Sequence, residues 1–176
     1  LSANTSMLRR RIADPRLHIE ERRLGRVTRT LVATVYIQGI ARPSIIQELR
    51  SRLDKVDIDS IQESGQLEDL IMDAPLSPFP TIARTERPDR IVGALLDGRI
   101  AIIVDGTPFV LIVPATFTMY LTTPEDYFEL FYSGTLIRLI RVLSMVLSLL
   151  LPSLYVAVTT FHQELLPTPL ILNIAA

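Results

Sequence analysis

From Val142 to Phe161 the chain runs for twenty residues without a formal charge. At 1.5 Å per residue a helix of that length spans about 30 Å, the hydrocarbon thickness of a bilayer. On an insertion scale its Leu, Val and Met residues outweigh the scattered Ser and Thr. A membrane-spanning helix over residues 136–162 is therefore expected, the rival being a buried helix of a large soluble protein. Arg138 and Arg141 sit at its N-terminal edge, where long cationic side chains reach headgroups, and Glu164 lies past the other end. Positive charge on the N-terminal side places the preceding domain in the cytoplasm. Residues 163–176, apolar from near Leu165, read as the start of a second membrane segment that makes the chain a fragment of a longer protein. Ahead of the span, Pro124-Glu125-Asp126 opens an amphipathic stretch over 124–135 whose Tyr127, Phe128, Phe131 and Tyr132 suit an interfacial helix.

Inside the span, Ser144, Ser148, Pro152, Tyr155 and Thr159 fall within roughly 80° of one another at about 100° per residue. A small or polar stripe on an apolar helix faces protein or water, not lipid. The stripe is a candidate helix-packing surface, with a water-filled or ion-conducting path as the sharper alternative.

The rest of the chain reads as a soluble domain. Of 176 residues 48% are apolar, and the mean hydropathy of +0.33 is high because of the span. Net charge is −1, dividing as +5 over residues 1–29, −7 over 30–135 and +1 over the rest, so no domain-wide basic field for nucleic acid exists. Residues 1–29 hold eight arginines against Asp14, Glu20 and Glu21 and read as a solvated basic connector, with anion binding as the alternative. From Thr30 to Gln38 apolar residues fill both alternating faces, the pattern of a buried strand bounded by Gly39. Ile45, Ile46, Leu49, Leu53 and Val56 are spaced for one helix face, with Glu48 and Arg52 set for an i,i+4 pair. A short helix follows around Leu67, Leu70 and Ile71. Pro88-Asp89 starts another, and Gly98 ends it. Two apolar runs, Ile100 to Val104 and Phe109 to Val113, flank Asp105-Gly106, a strong hairpin signal. Residues 30–123 are thus expected to form a β-α-α-β-α-β-β domain of the α/β class, with a mixed sheet covered on both faces.

Catalytic material is scarce. There is no cysteine, so a disulfide scaffold, a thiolate metal site and a cysteine nucleophile are excluded. His18 lies in the basic segment and His162 beyond the span, neither placed to activate a nucleophile. Asp97 and Asp105 each precede glycine and serve as turn formers. Asp57, Asp59 and Glu68 have calcium-loop spacing, but Ile61 occupies a ligand position and Gln62 stands where the turn needs glycine. No phosphate or dinucleotide loop is present. No enzyme, cofactor or metal site is expected.

Pro75, Pro78, Pro80 and Pro88 keep the segment 73–90 extended or turning, with Phe79 and Ile82 to bury. Pro78, Phe79 and Pro80 make a candidate docking loop for another subunit, the plainer reading being a rigid surface loop.

Ser77-Pro78-Phe79-Pro80, Thr85-Glu86-Arg87-Pro88-Asp89, Asp105-Gly106-Thr107-Pro108-Phe109 and Val113-Pro114-Ala115-Thr116-Phe117 occur in this order. Together with Arg22-Arg23-Leu24-Gly25-Arg26 before them and Leu151-Pro152 and Thr160-Phe161-His162 after, the combination resembles the GerA family, the A subunits of spore germination receptors. The resemblance implies a subunit of a nutrient germinant receptor in the inner membrane of a bacterial spore, with a cytosolic N-terminal domain and several membrane helices. It implies a permease-like B subunit and a lipoprotein C subunit as partners, and oligomerisation that passes ions or signal onward. It names no ligand-binding residue. The expected function is conversion of nutrient sensing into the germination signal; the alternative is a membrane-tethered cytosolic adaptor without conduction or sensing of its own.

Overall fold

A computed structural model describes residues 1–73, 80–121 and 131–161. The chain divides into two units, Leu1–Met119 and Tyr120–Ala176.

The first unit is built on a five-stranded sheet of order β1-β2-β4-β5-β3: β1 Leu17–Leu24, β2 Thr30–Ile37, β3 Ala83–Thr85, β4 Ile100–Val104 and β5 Val110–Val113. Helices α1 (Ser2–Arg11), α2 (Pro43–Asp54), α3 (Ser64–Ile71) and α4 (Pro88–Leu96) pack around it. From β2 onward the β-α-α-β-α-β-β order is the expected one. The sheet itself differs from the expected mixed one, because every neighbouring pair is antiparallel. Strands that run parallel, β1, β4 and β3 one way and β2 and β5 the other, are never neighbours, so no parallel ladder forms.

Both faces of the sheet are covered. Alternate residues of β2 and β4 take opposite sides, as the two-residue period requires. Val32, Tyr36, Ile100, Ile102 and Val104 pack with Ile46, Leu49 and Leu53 of α2 and Leu67 and Ile71 of α3. On the other side Ala33, Val35, Ile37, Ala101 and Ile103 pack with Leu8 and Ile12, at and just past the end of α1, and with Ile91 and Leu95 of α4. Proline opens both α2 and α4, where its missing N–H costs nothing. Gly98 follows α4 at φ +80, and a Cβ there would lie 2.8 Å from the Ile40 carbonyl oxygen. That position is closed to any other residue by both backbone conformation and space.

The largest correction concerns residues 1–29. They are not a solvated connector: α1 spans Ser2–Arg11, and β1 pairs with β2 without interruption from Leu17↔Ile37 to Leu24↔Thr30. Charge on β1 conceals the strand. Its Leu17 and Ile19 join one core and Leu24 joins the other, and the residues between them are mostly polar. Three of the segment's arginines are paired, Arg16 with Asp14, Arg22 with Asp54 and Arg26 with Asp57.

In the second unit α6 covers Phe131–Phe161, 31 residues. Its stretch Tyr132–Phe161 is long and apolar enough to cross a membrane. The helix starts five residues before the expected span, so residues 131–135, assigned to an interfacial helix, continue into it. The rest of that interfacial helix, 124–130, and the second membrane segment, 163–176, lie outside the described residues. A short helix, α5 (Phe117–Leu121), runs across the boundary between the units.

Candidate functional site: the membrane-length helix and the face of the edge strand

On α6 the sequence period places Ser144, Ser148, Pro152, Tyr155 and Thr159 on one face. Two of the stripe's hydroxyls are spent on the helix itself. Ser148 Oγ donates to the Met145 carbonyl at 2.9 Å, and Thr159 Oγ1 donates to the Tyr155 carbonyl at 2.9 Å. Such back-bonding satisfies a hydroxyl donor in hydrocarbon, where an unpaired one costs several kcal/mol. Pro152 acts in the opposite sense. It has no N–H to offer the Ser148 carbonyl one turn before it, so the stripe carries a backbone acceptor that the ladder leaves unserved. Leu147, Leu149, Leu150 and Leu154 are exposed in this chain.

Of the two cations expected at the edge of the span, Arg141 donates Nη1 to the Leu121 carbonyl at the end of α5. It therefore satisfies one of the orphan carbonyls of a helix C-terminus.

The candidate docking loop falls mostly outside the described residues: Pro78 and Phe79 do, and Pro80 lies at the edge of what is described. The neighbouring Ile82 is buried, and Thr81 accepts the Ala115 N–H on its carbonyl at 2.7 Å, so the end of this segment is fastened beside β5.

One polar cluster escaped the sequence. Glu20 of β1, Tyr36 of β2 and Arg50 of α2 converge on a single face of the sheet. Tyr36 donates its hydroxyl hydrogen to Glu20 Oε1 at 2.6 Å, and Arg50 Nε donates to Glu20 Oε2 at 3.0 Å. The guanidinium beside Glu20 holds its carboxyl below the usual range, and burial raises the Tyr36 phenol. His18, placed by the sequence in a connector, is on β1 directly opposite Tyr36 and stacks on its ring at 5.7 Å between centroids. The signal was present: His18, Glu20 and Arg22 recur at the two-residue period of a strand. Elsewhere the expected Glu48–Arg52 pair forms at 2.8 Å, and Arg52 also reaches Asp73 and the Ile71 carbonyl, tying α2 to the end of α3.

An open groove of about 490 Å³ lies between α1 and β1, lined by Thr5, Ser6, Arg9, Ile19 and Glu21. Among the described residues no three His, Asp or Glu side chains are grouped to hold a metal ion. The arrangement offers ion pairs, a covered sheet and a membrane-length helix, which are means of assembly and anchoring.

The comparisons with known proteins agree with the resemblance. The family model described as Bacillus/Clostridium GerA spore germination protein matches residues 1–176. Spore germination protein KA of Bacillus subtilis (strain 168) is 52% identical over 176 residues, all of this chain and 32% of that protein. Spore germination protein B1 of the same organism is 47% identical over 175 residues, 99% of this chain and 36% of that protein. This chain thus spans about a third of the length of these relatives. A crystal structure of the N-terminal domain of the A subunit of the Bacillus megaterium spore germinant receptor GerK3 superimposes with a TM-score of 0.53 at 55% identity, covering 66% of this chain and 93% of that one. A covered α/β sheet, a membrane-length helix and a family match over its whole length lead to one assignment: the chain belongs to the GerA family of spore germination proteins.

Proposed function

We propose that this chain is part of a germinant receptor A subunit, carrying a cytosolic domain and a membrane helix, and that it helps convert nutrient sensing into the germination signal. The observation that carries the proposal is the continuity of a GerA-type α/β domain with an apolar helix of 31 residues in one polypeptide. A domain and an apolar helix of that length in one polypeptide support a membrane-bound subunit. A permease-like B subunit and a lipoprotein C subunit are its proposed partners, the spore inner membrane its location, and ion release its proposed output.

The stripe on α6 is read as a helix-packing face. Back-bonded hydroxyls at Ser148 and Thr159 support this, because their protons are already committed, and the carbonyl freed by Pro152 asks for a donor from a neighbouring helix.

Spores with the gene deleted are expected to lose the optical-density fall and ion release that follow addition of one nutrient class, with restoration by the intact gene. Unchanged germination on every nutrient would remove the receptor reading. Cysteines placed one at a time along α6 test the packing face: labelling by a water-soluble thiol reagent stronger at residue 148 than at 147 or 149 would replace it with a pore.

A further inference from the structure

At one end of the sheet β1, β3 and β4 begin and β2 and β5 finish. The loops there are tied together. The Gln38 N–H donates to the Arg16 carbonyl at 2.9 Å and the Ala115 N–H to that of Thr81 at 2.7 Å. Arg99 reaches the Pro114 carbonyl and the Thr116 hydroxyl at 3.2 and 3.0 Å. These loops and the last turn of α1 carry Arg10, Arg11, Arg16, Arg42 and Arg99 against Asp14 and Asp97, while Arg9 of that turn lines the groove along β1. Asp14 is spent on Arg16, and Arg99 is held by neutral oxygens that leave its charge uncompensated. Arg10, Arg11 and Arg42 are exposed and, among the described residues, make no ion pair.

The same end exposes apolar side chains. Ile40, Leu96 and Phe117 are 38%, 57% and 48% exposed. Ile40 closes on Gly98, two residues from Leu96, and Arg99 bridges to Thr116 beside Phe117, so the three are joined through short contacts. Val27 and Phe109 are exposed at the opposite end, but the turns there also carry Asp59, Glu86 and Asp105, and two of their arginines, Arg26 and Arg87, are matched by Asp57 and Asp89. Apolar exposure is common to both ends; an excess of unmatched cations belongs to the first alone.

We propose that this end of the first unit is a lipid-contact surface, whose arginines meet the phosphates of an anionic bilayer face while Ile40, Leu96 and Phe117 enter the headgroup boundary. The inference rests on the membrane-bound reading above. Chain continuity selects lipid as the occupant. The polypeptide leaves the first unit from this end, through Thr116 and Phe117, and the membrane-length helix begins at Phe131, fourteen residues on. That connection reaches at most about 50 Å, which keeps a bilayer at high effective concentration around the unit. Each cation brought near an anionic lipid face raises association about fivefold, and apolar side chains set among cations are the composition by which interfacial segments bind.

The test uses the full-length protein reconstituted in vesicles, with any cysteine outside residues 1–176 replaced; this chain has none of its own. A fluorophore is attached at Leu96→Cys or, at the opposite end, at Val27→Cys, and its quenching by a lipid with a spin-labelled headgroup is read. In vesicles of phosphatidylcholine mixed with phosphatidylglycerol, position 96 is expected to be quenched well above position 27. In phosphatidylcholine alone, or at high salt, the difference is expected to disappear. Changing Arg10, Arg11 and Arg42 together to Gln is expected to bring position 96 down to the level of position 27 while the protein still floats with the vesicles. The salt series needs no substitution, so it decides should the triple variant fold poorly. Equal quenching at the two positions, or quenching at 96 indifferent to lipid charge and to the three arginines, would overturn the proposal. So would shielding of position 96 in the native membrane but not in vesicles of the pure protein, which would give this end an acidic protein partner. Protein that floats with neither kind of vesicle would remove the membrane-bound reading and this proposal with it, whereas floating protein with equal quenching removes this proposal alone.

Discussion

Tyr36 on β2 gives its hydroxyl hydrogen to the carboxylate of Glu20 on β1 at 2.6 Å, and Arg50 from α2 meets both groups. One neutral donor and one cation thus share one anion on the face of an edge strand. Three elements far apart in sequence are joined there by hydrogen bonds strengthened by charge.

The first prediction is a pH window. Glu20 has a folded pKa below its ordinary 4.5, so its stabilising share is present above that value and is lost as pH falls below it. Tyr36 has a folded pKa above its ordinary 10.0, so its share is present below that value and is lost as pH rises past the folded pKa. Tyr36→Phe is expected to cost about 1 kcal/mol at neutral pH and to remove the alkaline part of this dependence. Urea midpoints of the first unit across pH check both; an unchanged alkaline limb would contradict the assignment.

Two glycines on either side of the same helix end should respond in opposite directions. Gly98→Ala forces a Cβ to within 2.8 Å of a carbonyl oxygen at positive φ and is expected to destabilise by more than about 1 kcal/mol. Gly93, exposed inside α4 with nothing within 4 Å of a Cβ, should gain about 0.5–1 kcal/mol as Ala. The denaturant midpoints of the pair give the sign of each.

Adjacent leucines of α4 form a second contrast. Leu95 is fully buried beneath the sheet, whereas Leu96 is 57% exposed. Leu95→Ala is expected to cost about 2–5 kcal/mol and Leu96→Ala no more than about 0.5 kcal/mol, read from thermal or urea unfolding. Equal effects would mean that α4 presents a different face.

At the middle of α6, Leu149→Arg is expected to oppose membrane insertion by about 2.5–3.5 kcal/mol. A glycosylation-site insertion assay reads this directly as a fall in the spanning fraction. An unaltered fraction would show that this part of the helix does not lie in hydrocarbon.

Apolar periodicity made the centre of the molecule legible and failed at its edge. β2, β4 and β5 are apolar on both faces because helices cover both, and Ile46, Leu49 and Leu53 recur at the helical spacing because one face of α2 is buried. β1 meets neither condition along its middle, where Glu20 and Arg22 reach across to Arg50 and Asp54. Without knowledge of those partners its arginines resemble any solvated charge run. The direction of strand pairing was also hidden, since a mixed and an antiparallel sheet covered on both faces make the same demand on sequence. Of the candidate sites, the stripe on α6 follows from helix geometry alone. The commitment of Ser148 and Thr159 to their own backbone depends on rotamers that no spacing rule reports.

Pairing with β1 also decides where this protein can be cut. A fragment begun at Thr30 would turn Leu31 to Ile37, uncharged and rich in β-branched and aromatic residues, into an open sheet edge. Segments of that kind stack into aggregates when exposed. The charged strand before it is in this sense a solubility device, and a soluble fragment must retain Leu17–Leu24 even though the composition of that stretch looks dispensable.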